Sequence, residues 1–279
     1  MDMTSASKIL ALLLNVQDTH NPESAPVFSG LVNFDKMFGP FQPGTLSVFG
    51  NRPSCGSGEL LLSLATKLAF EQDLPCLYVS IRNNERAVDL RIAQAQLGID
   101  YLELRNIEHE QSINAHHTVL EKSPLEVIEK RSFTPDEILS AVENLFSSKT
   151  RFSCVFFDGA EMLIEHWNSF LGEAAAAFAL SFFKAIAIKH QVPVLVTLGL
   201  KNGEQYYERY RPTLSDFEHP REVLRFADKV FIVDRREFYS NSPADKGLMQ
   251  LWPIMGDSGR VGTIMRINTR TGRVEGMSE

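Results

Sequence analysis

Asn51-Arg52-Pro53-Ser54-Cys55-Gly56-Ser57-Gly58 has the spacing of a loop that could hold phosphate, and it lacks the two side chains that would make such a loop catalytic. In a loop of the form G-x-x-x-x-G-K-[ST], backbone N–H groups cradle the phosphates, the lysine neutralises the outer ones and the hydroxyl residue holds Mg²⁺. Here Ser57 stands at the lysine position and Gly58 at the hydroxyl position. The next lysine, Lys67, lies about two and a half turns further along the helix that should follow, too far to substitute. Glu59 adds a carboxylate to the first helical turn, where it complements the helix dipole and repels an incoming anion. Gly56 and Gly58 read either as a tight turn kept for backbone reasons or as the remnant of a phosphate cradle. A second candidate is Asp158, a carboxylate closing an apolar run: either a metal-holding group or a polar residue that ends a buried strand.

A loop of this kind is positioned by the strand that ends in it and the helix that starts from it. Residues 46–50 predict a short buried strand, and residues 59–70 the helix. Residues 74–81 predict a second buried strand and residues 85–97 a helix after it. Residues 98–123 are polar, and His109, His116 and His117 within them lack zinc-ligand spacing. Residues 125–128 predict a short strand, and Thr134 with Glu137 forms a capping box that opens a helix. Residues 154–158 predict a strand, residues 172–190 a helix apolar almost all round, and residues 192–198 the strand it leads into. Three more strands, over 229–233, 247–252 and 262–267, close the sheet. Strands alternating with helices define an α/β fold, with a central, mostly parallel sheet flanked by helices.

The chain of 279 residues is 44% hydrophobic and 23% charged, a balance that can bury a sizeable core. Its formal net charge of −7 excludes nucleic-acid binding through the overall field and leaves only a local basic patch for that role. Cys55, Cys76 and Cys154 have no metal spacing and point to buried free thiols in a reducing compartment. No stretch reads as long and apolar enough to span a membrane, and the first residues do not form a cleavable leader, so the expected location is cytoplasmic. Residues 1–26 predict a helix and linker, with Ile9, Leu10, Leu12 and Leu13 on an apolar surface that packs either on its own domain or on a neighbouring subunit.

The run Phe28-Ser29-Gly30-Leu31-Val32-Asn33-Phe34-Asp35, followed by Gln42-Pro43-Gly44-Thr45-Leu46 and Arg52-Pro53-Ser54, resembles the opening of the RecA-like motor domain of DnaB-family replicative helicases. The family pattern there is TGF-x-DLD-x-M, then QPGDL, then ARPSMGKT. The likeness returns at Val192-Pro193-Val194, at Arg211-Pro212 with Ser215-Asp216, at Ala227-Asp228, at Asp234–Tyr239 and at Gly259-Arg260-Val261-Gly262-Thr263. It implies a RecA-like P-loop NTPase fold over residues 27–279.

Carried over position by position, the resemblance implies a site stripped of its chemistry. The phosphate lysine and metal threonine fall on Ser57 and Gly58, and the glutamate that activates water falls on Arg82. A guanidinium has no acceptor and cannot serve as a base. The nucleotide-sensing glutamine falls on Gly199, and the lysine and arginine that reach into a neighbour's site fall on Met255 and Asp257. Such a finger can be worth about 10³–10⁵ in rate. Only Asp158, at the metal-holding position, is kept. The resemblance therefore implies a vestigial nucleotide site at Arg52, Ser54, Gly56, Ser57, Gly58 and Asp158, with no catalytic residue, no metal and at most weak binding of ATP with Mg²⁺. For DNA or partner contact it implies Tyr207, Arg209, Tyr210, Arg211 and Arg221. Aromatics interleaved with arginines can stack bases and touch phosphates, and they equally suit a protein-interaction loop. Two functions stand open at this point. One is a catalytically inactive paralogue that binds a helicase, DNA or another replication protein in replication or mobile-element maintenance, as a homo-oligomer or with a helicase-type partner. The other is an active ATP-dependent DNA helicase with an atypical or partner-completed site.

Overall fold

The computed structural model describes residues 25–81, 88–98, 100, 123–130, 132–148, 151–201, 212–238, 240, 242–255 and 262–277. Ile9, Leu10, Leu12, Leu13, Arg82, Tyr207, Arg209, Tyr210, Arg211 and Asp257 lie outside these residues. In chain order the elements are α1 (Val32–Phe38), β1 (Leu46–Asn51), α2 (Ser57–Thr66, continued by a π-helical turn Lys67–Glu71), β2 (Cys76–Ser80), α3 (Val88–Leu97), β3 (Leu125–Glu129), α4 (Pro135–Ser147) and β4 (Cys154–Asp158). They continue with α5 (Ala160–Leu171), α6 (Ala175–His190), β5 (Val194–Gly199), α7 (Pro220–Phe226), β6 (Lys229–Asp234), β7 (Leu248–Met255), β8 (Thr263–Ile267) and β9 (Val274–Gly276).

The strands form one sheet in the order β3-β2-β4-β5-β1-β6-β7-β8-β9. Pairing is parallel from β3 through β6 and antiparallel from β6 through β9. The parallel strands are apolar on both faces, as burial between two helical layers requires. Period-two alternation divides them between two cores. Leu46 and Val48 of β1, Leu77 and Val79 of β2, and Val155 and Phe157 of β4 share one core with Ile138 of α4, Trp167 of α5 and Phe182 of α6. Phe49, Tyr78 and Phe156 face the other core, with Phe34 of α1, Leu61 of α2 and Ile92 of α3.

The α/β layout agrees with the sequence expectation, and the capping box of Thr134 and Glu137 is present. Three differences have physical causes. The helix expected over 172–190 is preceded by α5, whose Leu163, Ile164 and Trp167 fall at helical spacing and are buried. Gly172, at φ +56°, separates the two helices through a short 3₁₀ turn. The expectation that no stretch could cross a membrane is corrected: residues 160–190 pass that test by length and apolar composition, an 18-residue window within them having a mean hydropathy of 1.6. The composition is accounted for by burial, since Trp167, Phe182 and Phe183 are core residues and the Trp167 indole N–H donates to Phe133 O at 2.7 Å. Finally, α7 forms where no helix is expected, and Pro220 favours it rather than breaking it. It is the first residue of α7, where a missing N–H would have had no partner in any case.

One ionic tie between α4 and α6 predicts a pH effect. Glu143 of α4 takes a bond from Lys189 Nζ and lies 3.2 Å from His190 Nε2 at the end of α6, while Phe146 stacks on the His190 ring. These partners, His190 first, hold the Glu143 carboxyl at about 2 rather than 4.5. A folded-state value below the unfolded one stabilises the fold above the unfolded value and loses that contribution as pH falls. Glu143→Gln should therefore lower the Tm at pH 6, and the gap from wild type should close between about 4.5 and about 2. Melting curves across that range check it.

Candidate functional site

The site is built at one edge of the sheet, where β1, β4 and β5 end side by side at Asn51, Asp158 and Gly199. In open α/β sheets this carboxyl edge is where ligands bind. The chain leaves β1 through Arg52, turns with Ser54 at φ +64° and Gly56 at φ +90°, and enters α2 at Ser57. Two left-handed residues in three close the turn tightly, and Cys55 N donates to Arg52 O at 3.2 Å across it. Arg52 and Ser57 are buried. Burial, and then the nearby Asp234 charge, push the Cys55 thiol up to about 11, so it stays protonated and unreactive at neutral pH.

Asp158 comes directly against this turn. A Cβ built on Gly58 would lie 3.0 Å from each Asp158 carboxylate oxygen, so the absence of a side chain at Gly58 is what allows the approach. The Asp158 carboxylate is fully buried and tied to other groups. Tyr78 Oη donates to Oδ2 at 3.0 Å, Thr197 Oγ1 donates to Oδ1 at 3.1 Å, and Arg91 Nη1 lies 3.4 Å from Oδ2. Thr197 Oγ1 in turn accepts from Gly159 N at 2.7 Å, which fixes its orientation. A carboxylate that holds Mg²⁺ presents its oxygens to the ion and its waters. Here those oxygens face a phenol, a hydroxyl and a guanidinium. The residues present therefore do not fit magnesium held as such loops hold it, and among the described residues no cluster of His, Cys, Asp or Glu could hold a metal ion.

The sequence-predicted residues Arg52, Ser54, Gly56, Ser57, Gly58 and Asp158 thus come together in one place. Arg221 does not join them: it is an exposed residue of α7. Gly199 sits at the tip of β5 against the Glu161 side chain, whose Cγ is 3.5 Å from where a Cβ would stand. Met255 ends β7 and packs on the core. Sequence reasoning missed Tyr78, Arg91, Thr197 and Arg235. Arg235 reaches back across the loop from the end of β6, donating through Nη1 to Ser54 O at 3.2 Å, and is itself bound by Glu237 and stacked over Phe238. The signal for Tyr78 and Thr197 was there, since each is a polar group within an otherwise apolar strand.

Beside the β5 tip a cavity of ≈ 490 Å³ is lined by Glu161 and Glu165 of α5, and by Glu218 and His219 before α7. Among the described residues, no lysine or arginine lines it. Its charge suits cationic groups and opposes a phosphate backbone.

Sheet order, flanking helices and a loop from β1 into a helix together define a RecA-like ATPase fold. Residues 27–274 match the family described as DnaB-like helicase C terminal domain, and the chain belongs to that family. It is 21% identical over 260 residues to the replicative DNA helicase DnaB of Haemophilus influenzae, and 22% identical over 257 residues to the replicative DNA helicase DnaC of Bacillus subtilis. Those alignments take in 91% and 90% of this chain and 56% of each relative, so the chain spans about half the length of the curated relatives it matches. Among solved structures, the ATPase domain of G40P superposes with a TM-score of 0.79 over the whole of both chains at 14% identity. A DnaB-like replicative helicase described with its interactions with primase gives the same score over 98% of this chain and 67% of its own.

Proposed function

We propose that this chain is a catalytically inactive member of the DnaB-like family, a RecA-like domain over residues 27–279 that works by binding. The observation that carries the reading is the state of Asp158, whose oxygens are bound to Tyr78, Thr197 and Arg91 beside a Gly58 with no hydroxyl to offer. Ser57 cannot neutralise an outer phosphate, and Arg82 cannot accept a proton from water. The occupant we favour is protein, either a second copy or a helicase-type partner, in DNA replication or mobile-element maintenance in the cytoplasm. The acidic cavity at the sheet edge supports a protein occupant over nucleic acid. The N-terminal segment expected from the sequence to be helical, with Ile9, Leu10, Leu12 and Leu13, is the one we assign to that association.

Purified chain should turn over ATP no faster than buffer, with or without single-stranded DNA, in a coupled phosphate-release assay. A DNA-stimulated rate of about 1 s⁻¹, the low end of ordinary enzymes, would instead establish an active helicase with an atypical site.

A further inference from the structure

The cavity beside the β5 tip combines two kinds of lining. Ile164 of α5, Ala175 and Ala176 at the start of α6, and Leu198 and Leu200 at the tip of β5 give it a buried apolar part. Glu165 of α5 and Glu218, just before α7, add exposed carboxylates from two separate parts of the chain. Neither forms a hydrogen bond or an ion pair with any described residue, so their charge is available to a ligand. At ≈ 490 Å³ the cavity falls within the roughly 300–1,000 Å³ range of small-molecule sites.

Asn51 independently points to a ligand. It closes β1 and forms part of the cavity wall, yet it is only 5% exposed. Its Nδ2 donates to Arg52 O at 2.9 Å, which fixes the orientation of the amide, because the reverse would set two oxygens against each other. Oδ1 is then buried without a hydrogen-bond partner among the described residues. A buried acceptor is rarely left so in a folded protein, and the cavity is where a donor can reach it. Gly199, the register partner of Asn51, adds no side chain to this space, and Glu161 Cγ lies 3.5 Å from where its Cβ would stand. Glu161 thereby brings a further carboxylate to the same wall.

A ligand that satisfies all of these features carries a positive head with several N–H donors on a short aliphatic stem. An ammonium supplies three donors and a guanidinium five, and neither accepts, so each matches a wall of carboxylates and a bare amide oxygen. The stem packs on Ile164, Leu198 and Leu200, as the stems of lysine and arginine pack on apolar surface elsewhere. A bare metal ion matches less well, because it gains nothing from an apolar lining and no group of His, Cys, Asp or Glu among the described residues could hold one.

We infer that this cavity binds an organic cation, an alkylammonium or alkylguanidinium, with its head on Asn51 Oδ1 and the glutamates and its stem on the apolar lining. The inference rests on the reading of this cavity as a seat for protein, since a lysine or arginine side chain is the form in which a protein offers such a group; a free amine offers the same chemistry. It fails separately from the inactivity of the chain: ATP turnover would refute that and leave cation binding untouched, whereas absence of cation binding refutes this inference alone. The test is calorimetric titration of the full chain at low ionic strength with cadaverine, agmatine and Nα-acetyl-lysine N-methylamide as separate arms, and with pentanol as an uncharged stem. At least one cation should bind saturably at one site per chain with a Kd at or below about 1 mM, and pentanol should not. Binding of the capped lysine assigns the site to a partner's side chain, and binding of the free amines alone assigns it to a small molecule. Glu165→Lys combined with Glu218→Lys, both at exposed positions that do not threaten folding, should weaken binding by at least about tenfold. Asn51→Leu should weaken it by about fivefold, which attraction to net charge alone would not produce. No saturable heat in any cationic arm at millimolar concentration overturns the inference. So does pentanol binding as tightly as the cations, or binding that the paired charge reversal leaves unchanged.

Discussion

Replacing Asp158 with alanine is expected to destabilise the fold by about 3–5 kcal/mol, the cost of removing one member of a buried ion pair. Tyr78 and Thr197 would each lose an acceptor in the core, and Arg91, whose side chain is only 12% exposed, would lose the carboxylate 3.4 Å away. The sign of the effect discriminates between two roles for this residue. A carboxylate kept only to hold a metal sits in a site built for function, and its removal is neutral or stabilising in the absence of the metal. Asp158→Asn should fall between, because one amide oxygen still accepts from a hydroxyl while the charge facing Arg91 is gone. Urea unfolding monitored by circular dichroism reads the result as a shift of midpoint at unchanged slope. A midpoint for Asp158→Ala at or above that of wild type would return Asp158 to the metal-holding role.

The same residue shows what the sequence could disclose. Its place at the end of an apolar strand was visible, because strand ends are local features. Its partners were not: Thr197 is 39 positions away, Arg91 is 67 away and Tyr78 is 80 away, and they meet only once β2, β4 and β5 are laid side by side. Only strand order places them together. The residues that carry the family resemblance proved legible for the opposite reason. Asp35 accepts from Ser29 N at 2.8 Å and Gly30 N at 3.1 Å, and Asp216 accepts from Thr213 N, so each closes a turn within a few residues. Asp228 accepts from Leu46 N at 2.7 Å and is bound by Lys184, anchoring the start of β1. These are structural bonds, and a chain can keep all of them while other positions change, as at Ser57, Gly58 and Arg82. Resemblance thus reported the fold faithfully, and the chemistry had to be read position by position. The helix α5 went unmarked because its apolar run merges with that of α6 in composition, and only Gly172 separates them.

Putting the loop's side chains back should not put back turnover. The double variant Ser57→Lys, Gly58→Thr supplies a cation for the outer phosphates and a hydroxyl for Mg²⁺, and we expect it to gain measurable binding of a fluorescent ATP analogue. The hydroxyl residue nevertheless arrives where there is no room. Its Cβ would stand 3.0 Å from both oxygens of Asp158, tighter than most such contacts, so the carboxylate must shift, and Tyr78, Thr197 and Arg91 hold it where it is. The variant should therefore be less stable than wild type as well as inactive, since a side chain forced into a packed site costs about 1–3 kcal/mol. Beyond the loop, the family resemblance puts Arg82 at the position of the base, and Met255 and Asp257 where a neighbour's cations would be supplied. On that reading the finger alone would leave the rate short by about 10³–10⁵. Single-turnover and steady-state assays with single-stranded DNA should both remain at background while nucleotide binding rises. If the double variant instead reaches a kcat of about 1 s⁻¹, two side chains were all that separated this chain from a motor, and the bonds around Asp158 must rearrange readily enough to admit the metal.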